Sequence, residues 1–300
     1  MIVAITGSSG LLGTALVDAL AAEGHLVRRL VRRPVRDAQR EIRWDPAAGT
    51  IDAGQLSGVD AIVHLAGENL ADHRWTEAVK ARIRDSRIQG TRLLCETLAG
   101  LASKPSVLVS ASAIGYYGDR GAEVVNESSP PGRGFLAELC QAWEAATHAA
   151  RDADVRVVNL RLGVVLSRDG GALAKMLTPF KLGLGGVIGS GQQYLSWISL
   201  DDVVSAIQFA LVAAAVCGPV NAVAPQPVTN REFTKTLGRV LRRPTVFPMP
   251  AFAARLAFGE MADEMLLSGV RVEPQALSSA GFAFHHPQLE LALRHAISRD

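Results

Sequence analysis

Short apolar runs and stretches of helical period alternate through the first two hundred residues of this 300-residue chain. "IVAI" reads as a buried strand, and "LLGTALVDALAAEG" as an amphipathic helix closed by Gly24 at its C′ position. Then come "HLVRRLV" (strand), "DAIVHLAG" (strand), "AVKARIRDSRIQGTRLLCETLAG" (helix), "SVLVSAS" (strand), "LAELCQAWEAATHAA" (helix) and "VRVVNLRLG" (strand). Apolar strands that lack internal alternation and are joined through helices predict a parallel sheet covered on both faces. After Gly163 the pattern changes. "DGGALAKMLTPFKLGLGGVIGSGQQ" is rich in glycine and carries no sustained period, which predicts a long functional loop with one short helix. From "VTNREFTKTLGRVL" onward the chain looks helical, with a capping box from Thr229 to Glu232, and the last fifty residues read as a small helical cap.

Between the first strand and the first helix stands "TGSSGLLG". Gly7 allows a tight turn, Gly10 lets backbone approach a pyrophosphate, and Gly13 permits close helix packing. The helix start, spanning Ser9, Gly10, Leu11, Leu12 and Gly13, then offers free N–H groups to phosphate charge. A glycine triplet means little alone, but strand-before and helix-after is the context a dinucleotide site requires. The expected fold class is therefore α/β: a Rossmann-type doubly wound parallel sheet with a small, mainly helical C-terminal substrate or cap region. Residues 1–165 are assigned to the dinucleotide-binding Rossmann domain, its sheet completed by 194–225. Residues 166–193 are assigned to a substrate loop and 226–300 to the cap.

The second strand ends in "LVRRP", where an NAD-specific site carries an acid for the ribose hydroxyls. Here Val31 is followed by Arg32 and Arg33, and a guanidinium suits a 2′-phosphate. NADP is the expected cofactor; a merely solvated basic run, shared with Arg28, Arg29 and Arg36, is the plain alternative. "HLAGEN" places Leu65, Ala66 and Gly67 along the cofactor at the carboxyl edge of the sheet.

Composition narrows the partners. Lys and Arg total 31 against 29 acidic residues, a net charge of +2, which gives no support for nucleic acid or a membrane surface. Cys95, Cys140 and Cys217 have the spacing of neither a zinc site nor a redox pair, and a reduced, cytoplasmic compartment is expected. The chain opens directly on a strand-like run rather than a leader-like one. Its longest apolar stretch, Ala206 to Cys217, is well short of the roughly 20 residues that span a bilayer. A small-molecule substrate is expected, and a second copy of the chain is one further option.

"HLAGEN", "SAIGYYG", "KLGLGGVIGSGQQYLSWISLDD" and "RLAFGEMADEMLLSG" together resemble the extended short-chain dehydrogenase/reductase superfamily. More narrowly, they resemble its atypical epimerase-like group, which includes bacterial YfcH. The resemblance runs from Thr6 to about Leu293. It implies Ser/Thr, Tyr and Lys chemistry in a Y-x-x-x-K-x-x-x-E frame, in which Tyr moves the proton, Lys tunes it and Ser polarises the substrate oxygen. With Glu144 as the frame's acid, Leu136 stands at the tyrosine position and Cys140 at the lysine position. Neither can do that work. The superfamily's "NVxGT" becomes "RIQGT", which puts Arg87 near the nicotinamide side as a pyrophosphate clamp, or else as an ordinary surface charge. Arg82, about 140° away on the same helix, would need a loop or the helix end to reach the ligand. The resemblance also brings Gly163 and Val164 to the cofactor. Leu195 replaces the arginine that grips the diphosphate of sugar nucleotides.

Ser112 matches the superfamily serine, with Ser110 the near alternative, and Tyr116 or Tyr117 is the candidate for a replacement phenol. Loop packing is the plain reading for both tyrosines. His285 and His286 are adjacent, and no carboxylate lies at metal-ligand spacing beside them, so no metal is expected. The leading reading is an NADP-binding oxidoreductase that reduces a small carbonyl compound using Ser112, Tyr116 and Tyr117. The alternatives are a non-catalytic NADP(H)-binding or sensing module with a protein partner and, last, a nucleotide-sugar epimerase.

Overall fold

A computed structural model describes residues 1–298. In chain order, the first strands and helices are β1 (Ile2–Thr6), α1 (Leu11–Ala22), β2 (Leu26–Val31), β3 (Glu41–Asp45), β4 (Thr50–Ile51), α2 (Ala53–Leu56), β5 (Ala61–His64), α3 (Glu77–Gly100) and β6 (Val107–Ala113). A 3₁₀ turn (Ile114–Tyr117), β7 (Val124–Val125), α4 (Phe135–Ala145), α5 (His148–Asp152), β8 (Arg156–Leu162) and β9 (Val164–Leu166) follow. The rest comprises α6 (Gly171–Lys181), β10 (Tyr194–Leu195), β11 (Trp197–Ser199), α7 (Leu200–Val212), β12 (Gly218–Ala222), β13 (Val228–Thr229), α8 (Asn230–Leu241), α9 (Ala251–Phe258), a π-helical turn (Ala262–Leu267), β14 (Arg271–Val272), α10 (Gln275–Ser279) and α11 (Leu289–Ser298).

The main sheet has eight strands in the order β12-β8-β6-β5-β1-β2-β3-β4. β1 lies between β2 and β5, and the chain reverses direction of travel across the sheet there, which is where open α/β sheets bind ligands. The pairs β1–β2, β1–β5, β2–β3 and β5–β6 are parallel, whereas β3–β4 is antiparallel. The expected mostly parallel sheet is present, with a short antiparallel return at one edge. β3 escapes a search for continuous apolar runs because it alternates: Ile42 and Trp44 are buried between charged neighbours.

Contacts group the chain into two compact units that interleave in sequence. One comprises Met1–Ser112, Leu139–Leu160 and Ile207–Val220; the other comprises Ala113–Glu138, Arg161–Ala206 and Asn221 onward. In the first, α3 packs Leu94, Cys95 and Leu98 against Ala4, Ile62 and Leu108 of the sheet. Thr76 caps α3, accepting a bond from the Val79 amide at 3.3 Å. The helix read from the sequence as 136–150 is broken into α4 and α5, because the Thr147 hydroxyl donates to the Glu144 carbonyl at 2.6 Å and takes over the turn.

The second unit has its own core. Leu173, Leu177 and Phe180 of α6, Phe233 and Leu237 of α8, and Leu289, Ala292 and Leu293 of α11 pack with Trp197. The capping box read from the sequence forms: Thr229 accepts from the Glu232 amide, and Glu232 accepts from the Thr229 amide. Among the described residues no helix is long and apolar enough to cross a membrane.

Candidate functional site

The glycine loop closes as its spacing predicts. Gly7 has φ +67°, and a Cβ there would stand 2.7 Å from the Leu65 carbonyl carbon, so only glycine lets the loops after β1 and β5 approach this closely. A Cβ on Gly13 would lie 2.1 Å from the Gly7 carbonyl oxygen, because the first turn of α1 sits on that oxygen. Gly10 differs from both: a Cβ there would meet protein only at 3.4 Å. Its open side is the one a pyrophosphate needs. Gly10 caps α1 without a side-chain bond, so the amides of Leu11, Leu12 and Gly13 stay available to an anion beside exposed Ser9.

The structure separates the two arginines that follow Val31. Arg33 forks onto both carboxylate oxygens of Glu41. That pairing, with a second bond from the Arg36 amide, holds the Glu41 carboxyl down at about 2. Arg32 is exposed and has no hydrogen-bond or ion-pair partner among the described residues.

The opposite wall is set by a chain of four side chains. Thr6 Oγ1 accepts from the Leu65 and Ala66 amides at 3.1 and 3.2 Å, so its own hydrogen goes to His64 Nδ1 at 2.7 Å. His64 Nε2 therefore carries the proton and donates to Thr91 Oγ1 at 2.9 Å, which also accepts from Trp143 Nε1 at 2.9 Å. Complete burial pushes His64 down to about 4, which keeps the ring neutral and this tautomer in place. The network ties β1, β5, α3 and α4 together behind the "HLAG" turn. The sequence reading did not single it out; a histidine inside an apolar strand was the available signal.

Arg87 lies against Gly67: a Cβ there would be 3.2 Å from the guanidinium carbon. The arginine is buried, stacks over Trp143 at 5.0 Å and donates to the Ile83 carbonyl at 3.2 Å. Burial lowers its pKa, while nearby Cys140 and Glu68 work the other way. A cation thus stands beside Cys140, where the superfamily frame puts a lysine. Arg82 reaches the same loop by its side chain, with Nε 3.2 Å from Glu68 Oε1.

Ser112, at the end of β6, donates to Glu144 Oε1 at 2.7 Å. Glu144, used in the sequence only to set a register, is therefore a chemical partner of the candidate serine. Ser110 is wholly buried, and its hydroxyl has no hydrogen-bond partner among the described residues.

Within the second unit, the two tyrosines of the 3₁₀ turn part company. Tyr117 is fully buried; its hydroxyl donates to Asn221 Oδ1 at 2.7 Å and accepts from Arg161 at 2.9 Å. Its one hydrogen is committed, and burial raises its pKa against the pull of Arg161. Tyr116 is half-buried, edge-to-face with Tyr117, and lies beneath the Arg161 guanidinium at 3.5 Å. Its hydroxyl bonds no other described residue, which leaves it the available phenol. Arg161 was missed in the sequence, although a charge inside the apolar strand "VVNLRL" marks it. Gly163 is crowded by protein: a Cβ would stand 2.7 Å from the Ser196 carbonyl oxygen. Val164 begins β9, which pairs with β11. Asp201 comes together with His286 and His295, although no carboxylate is near them in sequence.

The family model described as NAD dependent epimerase/dehydratase matches residues 3–222. The chain belongs to the NAD-dependent epimerase/dehydratase family. A second model, a domain of unknown function (DUF1731), covers residues 249–296 of this epimerase-family chain. The epimerase family protein MT2273 of Mycobacterium tuberculosis is 49% identical over 300 residues, covering 99% of this chain and 98% of the relative. Human SDR39U1, also an epimerase family protein, is 38% identical over 301 residues, covering 99% of this chain and all of the relative. The crystal structure of human SDR39U1 isoform 2 with NADPH superimposes at a TM-score of 0.91 with 36% identity, covering both chains fully. A structure described as the nucleoside-diphosphate sugar epimerase of Corynebacterium glutamicum gives 0.82 at 38% identity, covering 99% of this chain and 58% of that one.

Proposed function

We propose that this epimerase-family protein binds NADP(H) and reduces a small carbonyl compound. The observation that carries the cofactor half is the division of labour between Arg32 and Arg33. One guanidinium is neutralised by Glu41, and the other stands unpartnered at the end of β2, with the amides of α1 and the open side of Gly10 completing a phosphate cradle. The human relative solved with NADPH, alike over its whole length, supports the same cofactor.

When bound, the nicotinamide supplies the hydride. The chain's own task is to orient and polarise. Arg87 places a buried cation beside Gly67, where it can face a pyrophosphate or a developing oxyanion. Ser112 is oriented by Glu144, and Tyr116 offers a phenol hydroxyl on a ring that lies under the Arg161 guanidinium. On this reading Arg87 and Ser112 of the first unit take over from the absent Tyr-x-x-x-Lys pair, and Tyr116 is the candidate proton donor of the second. A cytoplasmic setting suits Cys95, Cys140 and Cys217, none of which is in a disulfide.

The Corynebacterium relative's description raises a nucleotide-sugar substrate as a second reading. Against it, Leu195 packs into the apolar core of the second unit, where the superfamily arginine would grip a diphosphate. The test is a panel of small aldehydes and ketones with NADPH, run beside UDP- and TDP-sugars with NAD and NADP. NADPH oxidation with at least one small carbonyl, and no sugar-nucleotide turnover or binding, is the expected outcome. Saturable sugar-nucleotide binding favours the epimerase reading. Tight NADPH binding without any turnover favours the sensing module.

A further inference from the structure

We propose that Asp201, His286 and His295 form a binding site for a divalent transition-metal ion, zinc foremost, in the second unit. Three elements deliver the ligands. Asp201 lies in the first turn of α7, His286 in the segment leading into α11, and His295 in the last turn of α11. Their donor atoms all lie within 4.8 Å of one another. His295 Nε2 is 2.6 Å and His286 Nε2 3.6 Å from the same oxygen, Asp201 Oδ2. The two rings stack, with centroids 4.3 Å apart and planes 26° apart, and each turns its Nε2 edge towards Asp201 Oδ2, so binding an ion requires the rings to splay from this stack.

Around tetrahedral zinc, with bonds of roughly 2.0–2.2 Å, neighbouring ligand atoms stand about 3.3 Å apart. The His286 separation already meets that spacing. The His295 contact is a hydrogen bond that must open by under about an ångström, within reach of a small side-chain rotation once the ion replaces the shared proton. His286 is held in place from behind: Asp202 accepts the backbone amides of His285 and His286 at 2.6 and 3.1 Å. Asp202 is itself fixed by Ser199, whose hydroxyl donates to Oδ2 at 2.7 Å. These bonds fix the backbone that carries His286. The side chains keep 20 to 40% of their accessibility, so an ion can enter and a water can complete the coordination. Two imidazoles and one carboxylate suit zinc over magnesium or calcium, which prefer oxygen ligands. Bound there, the ion would staple the start of α7 to the end of α11.

Untagged, chelator-stripped full-length protein is titrated with Zn²⁺ by calorimetry and with Co²⁺ by visible absorption. One equivalent is expected to bind with a Kd in the micromolar range or below, raising Tm. His286→Ala and His295→Ala should each weaken binding at least tenfold, and Cys217→Ser, which removes an exposed competing thiol, should leave it unchanged. His286→Ala retains the Asp201–His295 hydrogen bond and so keeps a folded variant for the comparison. No saturable binding, binding retained in both histidine variants, or binding lost in Cys217→Ser would each overturn the site. The cluster would then be a hydrogen-bonded contact alone.

Discussion

Ser112 gives its hydroxyl hydrogen to Glu144 across 2.7 Å, so a carboxylate from α4 orients the candidate serine, which must turn that one hydrogen from Glu144 to a carbonyl oxygen before it can polarise it. Glu144 lies one turn beyond Cys140 and two beyond Leu136, on the face that carries the acid–base pair in the superfamily frame. Removing either partner should lower NADPH-dependent carbonyl reduction by about 10² or more, through lost orientation or proton transfer. Steady-state rates of Ser112→Ala and Glu144→Gln on the best substrate check this; full activity in both would remove the pair from the mechanism.

Arg32 and Arg33 should behave as differently as their surroundings. The native chain is expected to bind NADPH at least tenfold more tightly than NADH, a decade being about 1.4 kcal/mol. Arg32→Ala should erase most of that preference. Arg33→Ala should leave most of it, since Arg33 is spent on Glu41. Fluorescence titration of both cofactors separates them, and equal loss in the two variants would contradict the assignment.

Gly10→Ala separates ligand space from fold. Its added methyl meets protein only at 3.4 Å, so Tm should move by no more than a few degrees, consistent with about 1 kcal/mol or less at a helix cap. NADPH affinity should nevertheless fall at least tenfold, as the methyl occupies the pyrophosphate's approach. Unchanged affinity would place the cofactor elsewhere.

Tyr117→Phe should cost stability and Tyr116→Phe should cost rate. The first leaves Arg161 and Asn221 short of a buried partner, worth about 1–3 kcal/mol in denaturant unfolding. The second removes no hydrogen bond to another described residue, so its melt should match the parent while carbonyl reduction falls about 10²-fold if that phenol donates the proton. Parent-like kinetics in Tyr116→Phe would leave water held near Ser112 as the donor.

His64 makes stability depend on pH with a definite sign. Its folded value is pushed down to about 4 from an ordinary 6.5, so the unfolded chain binds a proton that the folded chain refuses. The stabilisation is complete above about pH 6.5 and is lost as pH falls towards 4, by a total of about 3 kcal/mol. Urea unfolding at pH 7, 5.5 and 4.5 should show the decline, and His64→Gln should flatten it. An identical slope in the variant would assign the decline to other groups.

How much was legible in the sequence depended on the range of the interaction. "TGSSGLLG" determined the phosphate loop, because a strand, a tight turn and a helix start are local and glycine is the residue that survives a 2.1 Å approach. The helical periods, the Thr229–Glu232 box and the apolar strands are local in the same sense, and they were enough to fix the Rossmann-type class. Alternation in β3 and the break at Thr147 were harder to read, since each turns on which face a neighbour covers or which hydroxyl takes a carbonyl. The pairings that decide chemistry came only with the tertiary structure. Glu41 selects Arg33 over Arg32, Glu144 claims Ser112, Asn221 and Arg161 claim Tyr117, and Asp201 meets two histidines more than eighty residues away. Each is a contest between neighbouring residues of the same type, or a meeting of residues far apart in the chain. Hydropathy and motif spacing carry neither kind of information; distance and direction in the folded chain do.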